Sequence, residues 1–103
     1  MNSISEHCIS VTHPALQGHF PGNPVVPGVV LLEEIITAIR TWRPSACNQG
    51  FQSVKFLHPV APESRFSIAL ELLDEARVGF SCRIGQRQVS SGTVILQVTQ
   101  APA

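Results

Sequence analysis

Along much of this chain apolar residues recur at every second position, the spacing of a β-strand with one buried face. In residues 64–73, Phe66, Ile68, Leu70 and Leu72 share a face, and in residues 77–84, Val78, Phe80, Cys82 and Ile84 do the same. Residues 87–99 place Val94, Leu96 and Val98 together, and Gly85-Gln86 just before them predicts a two-residue hairpin turn. Residues 3–12 mix β-branched and polar types with partial alternation, and residues 51–58 read as extended up to Pro59.

One segment breaks this period. In residues 28–42 (GVVLLEEIITAIRTW), at 100° per residue, Glu33, Glu34, Thr37, Arg40 and Thr41 fall within a sector of about 120°, and the other positions are almost all apolar. The pattern predicts a helix buried around most of its circumference, roughly 22 Å long, which is the width of a small sheet. Arg43-Pro44 ends it. One long helix with about five mostly antiparallel strands is an α+β layout, best satisfied by a sheet whose apolar face wraps the helix. The sheet's other face is then covered only by oligomerisation.

Between the first strand and the helix, residues 13–28 (HPALQGHFPGNPVVPG) hold four prolines and three glycines and predict irregular backbone. A loop this long in a small domain is usually functional, and Phe20, Val25 and Val26 make it too apolar for a solvated tail.

Composition narrows the possibilities. With 103 residues the chain forms a single domain, 1–103. Seven basic against seven acidic residues give no net charge, which argues against nucleic acid as a partner. Apolar residues make up 44% and charged residues 14%, so excess hydrophobic surface is most easily buried against another copy. The densest apolar run, residues 25–32, is interrupted by Pro27 and Gly28 and too short to span a bilayer. The first residues lack a secretory pattern, and Cys8, Cys47 and Cys82 form no CxxC. A cytoplasmic protein without metal or cofactor is the expectation.

The candidate chemistry lies in residues 18–33, GHFPGNPVVPGVVLLE. His19 sits in a Pro/Gly frame able to hold an imidazole rigidly. Pro27-Gly28 opens the helix, and glycine lets a ligand approach the first unpaired amides, which could polarise a carbonyl oxygen. Glu33 lies at the edge of the narrow polar stripe. A carboxyl partly withdrawn from water there favours the protonated form and suits a general acid. A histidine base, an acid and a helix-end carbonyl site are the parts needed to remove a proton beside a carbonyl and expel a β-hydroxyl.

HFPGNPVVPGVVLLE closely resembles the signature of the 3-hydroxyacyl-(acyl-carrier-protein) dehydratases of fatty-acid synthesis, the FabZ/FabA type: His-Phe-Pro-Gly-x-Pro-x-x-Pro-Gly-Val, then an acid fourteen residues after the histidine. VKFLHPVAPES (residues 54–64) resembles the family's second landmark, a strand ending in Pro-Val-x-Pro-Gly-Asp. The resemblance implies the hotdog fold, a homodimer or trimer of dimers, and an acyl-carrier-protein or CoA thioester substrate. It implies His19 as the base for the α-proton, Glu33 as the acid for the departing hydroxyl, and the Gly28 amide on the thioester carbonyl. Phe20 and Val29 are the further candidate substrate contacts, although packing the loop onto the core is the simplest role for Phe20. In this family the histidine and acid facing one substrate come from different protomers.

Three features depart from the family pattern. Thr37 stands where a glutamine often frames the site, Pro62-Glu63-Ser64 replaces Pro-Gly-Asp, and the stretch preceding the motif is short. A more open or differently shaped pocket is therefore expected. The alternatives are a hotdog thioesterase and a non-catalytic acyl-binding or scaffold protein. His7, His13 and His58 have no partner at ligand spacing and read as structural; Glu34 reads likewise, and the cysteines as ordinary thiols.

Overall fold

A computed structural model describes residues 2–14 and 25–97. Their elements run β1 (Asn2–Cys8), α1 (Gly28–Trp42), β2 (Cys47–Phe56), β3 (Arg65–Asp74), β4 (Arg77–Ile84) and β5 (Arg87–Gln97). The strands form one antiparallel sheet in the order β1-β3-β4-β5-β2, so β1 and β2 are its two edges.

The two-residue period decides the sheet's inner face. Phe66, Ile68 and Leu70 of β3, Val78, Phe80 and Cys82 of β4, and Val94 and Leu96 of β5 are buried beneath α1. The helix contributes Val30, Leu31, Ile35, Ala38 and Ile39 to the same core. Each fully buried aliphatic side chain in it is worth roughly 1.5–3 kcal/mol of transfer free energy, so this shared layer is the main source of stability.

Turn chemistry supports the order. Gly85 has φ +60° while Gln86 stays out of the left-handed region, which is a type II′ hairpin between β4 and β5. The β3–β4 connection is closed by Asp74, whose carboxylate accepts from the Ala76 amide (2.9 Å) and from Arg77 Nε (2.7 Å). These donors hold the Asp74 carboxyl below its ordinary range, the Ala76 amide contributing most.

Several sequence expectations need adjusting. β1 stops at Cys8 rather than continuing to residue 12, and Val11-Thr12 form a turn. β2 spans Cys47–Phe56 rather than residues 51–58, with two irregularities in its pairing with β5. One irregularity carries Ser53 at φ +55°. Val89 and Ser90 are buried at successive positions, breaking alternation in β5; the Ser90 hydroxyl is satisfied by donating to the Lys55 carbonyl (3.0 Å). Val98 lies outside the described residues.

Candidate active site

The helix start is fixed from two sides. Pro27, with φ −60° and ψ 146°, occupies the N-cap and has no side chain to cap with. Its carbonyl receives the Val30 amide (3.0 Å) and the Leu31 amide (3.3 Å). Just before it, the Val26 amide donates to the Val60 carbonyl (2.8 Å), which ties the helix entry to the second sequence landmark. Ahead of those first bonds, the Gly28 and Val29 amides take no backbone acceptor among the described residues. They form the positive end of α1.

Two cavities flank this first turn. One, of about 440 Å³, runs along the helix beside β2, with Val29, Leu32, Ile36 and Phe51 as its apolar lining and Glu33, Thr37, Arg40 and Asn48 as its polar groups. The other, of about 490 Å³, lies at the N-terminal end and is lined by Val25, Val26, Gly28, Phe56, His58 and Val60, among others. Val29 and Glu33 therefore share one cleft, while Gly28 lines its neighbour. His19 and Phe20 lie outside the described residues.

Two expectations about the helix are corrected. Its apolar surface is not wholly buried: Val29 is 62% exposed, and Leu32 and Ile36 are only partly covered. Glu33 is exposed rather than partly desolvated, because it points to the β2 side, where no other part of the described chain reaches over the helix. Thr37 lines the same cleft, and its hydroxyl donates to the Glu33 carbonyl one turn earlier (3.0 Å).

Phe56 was not singled out by sequence reasoning, yet its ring packs against the backbone of Gly28. A β-carbon at residue 28 would lie 2.8 Å from Phe56 Cζ. Its position within VKFLHPV was the available signal. The same landmark shows why the family carries glycine where this chain has Glu63: the residue sits at φ +65°. Here Glu63 is held in that conformation by its own bonds, its amide to the Ile9 carbonyl (2.8 Å) and its carboxylate receiving the Val11 amide (2.9 Å).

His7, read from the sequence as structural, has two hydrogen-bond partners. Its Nδ1 lies 2.8 Å from Glu34 Oε1 and its Nε2 lies 2.6 Å from Ser5 Oγ. Glu34 is thus structural toward β1, while Glu33, its neighbour, faces the cleft.

The sequence profile of the ApeI-like dehydratases, described as ApeI dehydratase, matches residues 2–93. The chain belongs to this family. It is 33% identical over 78 residues to the 3-hydroxyacyl-[acyl-carrier-protein] dehydratase FabZ of Mannheimia succiniciproducens, covering 67% of this chain and 52% of that protein. It thus spans about half the length of the curated relatives it matches. Among solved structures it is similar to the dehydratase heterocomplex ApeI:P from Xenorhabdus doucetiae, with TM-score 0.81 and 23% identity, covering 92% of this chain and 86% of that one. It also shares its fold with a 1,4-dihydroxy-2-naphthoyl-CoA thioesterase from Synechocystis, at TM-score 0.68 and 13% identity over 93% of this chain and 80% of that one. The hotdog fold is therefore established, and fold alone does not separate dehydratase from thioesterase.

Proposed function

We propose that the protein removes water from a 3-hydroxyacyl thioester, on acyl-carrier protein or CoA, to leave the trans-2-enoyl thioester. The observation that carries this reading is the cleft that sets Glu33 above an apolar lining beside a helix start whose first amides take no backbone acceptor among the described residues. In this mechanism His19 takes the α-proton, and the Gly28 amide donates a hydrogen bond to the thioester oxygen as negative charge develops there. Glu33 then gives its proton to the β-hydroxyl, which leaves as water while the double bond forms.

The cleft's openness motivates the second part of the proposal, a dimer. Glu33 and the exposed part of Val29 face the β2 edge, and a second hotdog protomer joined there would roof the cleft and supply the other half of the His19–Glu33 pair. Adding a strand at that edge also removes an unpaired row of backbone groups. A copy of the same chain is the simplest partner. The Xenorhabdus complex bears the name of a heterocomplex, so a different hotdog chain is the other outcome to test.

The test measures product from a 3-hydroxyacyl carrier-protein thioester by mass spectrometry, for wild type, His19→Ala and Glu33→Gln. Loss of 18 Da from the acyl group supports dehydration, with rates falling on the order of 10²–10⁴-fold in each variant. Release of free carrier thiol instead would establish the thioesterase reading. Water loss unchanged in His19→Ala would refute the mechanism.

A further inference from the structure

The first strand is built the wrong way round for a core strand. In β1 the inward positions are Ser3, Ser5 and His7, opposite the buried Leu70, Ile68 and Phe66 of β3, whereas Ile4 points outward and is 75% exposed. A shift of one residue would bury Ile4 and expose these polar groups. The observed register instead puts a hydroxyl and an imidazole against the helix, where each finds a partner.

Those partners form a directed chain. An ionised carboxylate only accepts hydrogen bonds, so the 2.8 Å contact with Glu34 Oε1 places the proton of neutral His7 on Nδ1. Nε2 is then a lone-pair acceptor, and the group 2.6 Å from it, Ser5 Oγ, must donate. The imidazole is largely withdrawn from solvent, its side chain 12% exposed, and stacks on Phe66 with ring centroids 5.8 Å apart and planes at 25°. A nucleophile bonded to a base, with the base oriented by a third group, is the arrangement that activates serine hydroxyls. Ser5 itself is only partly covered. Among the described residues β1 is an edge of the sheet, paired on one side only, with β3.

We infer that Ser5, His7 and Glu34 form an acyl-accepting site, separate from the Glu33 cleft, that reacts with activated esters or thioesters. The Ser5 Oγ–carbonyl carbon bond forms as the hydroxyl proton passes to His7 Nε2. The bond to the leaving alkoxide or thiolate then breaks, and that group takes the proton from Nε2. Water later attacks the Ser5 ester by the same route, releasing the acid and restoring the hydroxyl. Glu34 remains a carboxylate throughout and balances the imidazolium.

The site is tested on the intact protein with a fluorophosphonate and with p-nitrophenyl acetate, followed by intact mass and peptide mapping. One adduct on Ser5 is expected, forming at least tenfold faster than on any other serine. His7→Gln, which keeps a polar side chain of similar reach, should lower that rate at least tenfold, and Glu34→Gln should lower it less. Absence of a Ser5 adduct on folded wild-type protein overturns the inference, as does a His7→Gln variant that labels as fast as wild type. Neither result depends on whether Glu33 and His19 dehydrate a thioester.

Discussion

Gly28→Ala puts a methyl group where Phe56 already is. The new β-carbon would lie 2.8 Å from Cζ and 3.1 and 3.2 Å from the two Cε atoms. Carbon pairs are at ease near 3.5–4.0 Å, so the ring has to retreat by roughly 0.7 Å or more. Phe56 is 52% exposed and therefore free to swing without dragging buried neighbours with it. Two opposing effects follow. Alanine at a helical position gains up to about 1 kcal/mol over glycine. Displacing the ring from the helix start costs about 1–2 kcal/mol, toward the low side of the overpacking range because Phe56 can move. The single variant should thus lose between nothing and about 2 kcal/mol, which alone would say little. The coupling is diagnostic. With Phe56→Ala in the background nothing remains to collide with, and Gly28→Ala should become stabilising by up to about 1 kcal/mol. A double-mutant cycle from urea midpoints, at constant m, should return a coupling of about 1–2 kcal/mol. If the two changes add within about 0.5 kcal/mol, the ring does not guard residue 28 and the close approach has been misread.

Two other predictions come from buried groups. Gly92→Ala would set a β-carbon 2.8 Å from the buried Phe80 ring and 3.1 Å from Val54 Cα, where neither neighbour can swing aside, so a loss of about 1–3 kcal/mol is expected. Differential scanning calorimetry should show Tm falling by at least about 4 °C, and recovery in Gly92→Ala/Phe80→Leu; an unchanged Tm would contradict the packing. Burial pushes the Cys82 thiol up to about 12. The unfolded chain's thiol ionises near about 8.5, so between these values the unfolded state has released a proton that the folded state keeps, and stability falls as pH rises. Alkaline urea titrations should show that fall in wild type and a shallower one in Cys82→Ala. A thiol reagent at neutral pH should reach exposed Cys8 and Cys47 and spare Cys82 until the protein unfolds.

Much of the fold was legible because it rests on local periodicity. Phe66, Ile68 and Leu70, or Val78, Phe80 and Cys82, announce a buried face without reference to anything distant, and the limits of α1 follow from Pro27-Gly28 at one end and Arg43-Pro44 at the other. Gly85-Gln86 likewise carries its turn type in two residues. The strand edges were harder to place, since β2 is set by its pairing with β5 across two irregularities that no local pattern records.

The site was legible to a different depth. Spacing alone set Glu33 apart from Glu34, and the structure separates the two carboxylates as the motif suggests, one toward the cleft and one toward β1. Spacing could not show that Glu33 would remain exposed, because coverage depends on what joins the chain at β2. It was also silent about His7, whose partner lies 27 residues away in sequence on another element. One local sign was present: serine, serine and histidine alternate through β1 where a core-facing strand would carry aliphatics. Such inversion costs burial, since the side turned outward is Ile4. Unpaired, each inward polar group would cost on the order of 1–3 kcal/mol more, and the pairing of Ser5 with His7 and of His7 with Glu34 offsets that cost. A strand that turns Ser5 and His7 inward and pairs both is therefore better explained by the chemistry of that face than by packing, because Ile4 turned inward would pack at lower cost.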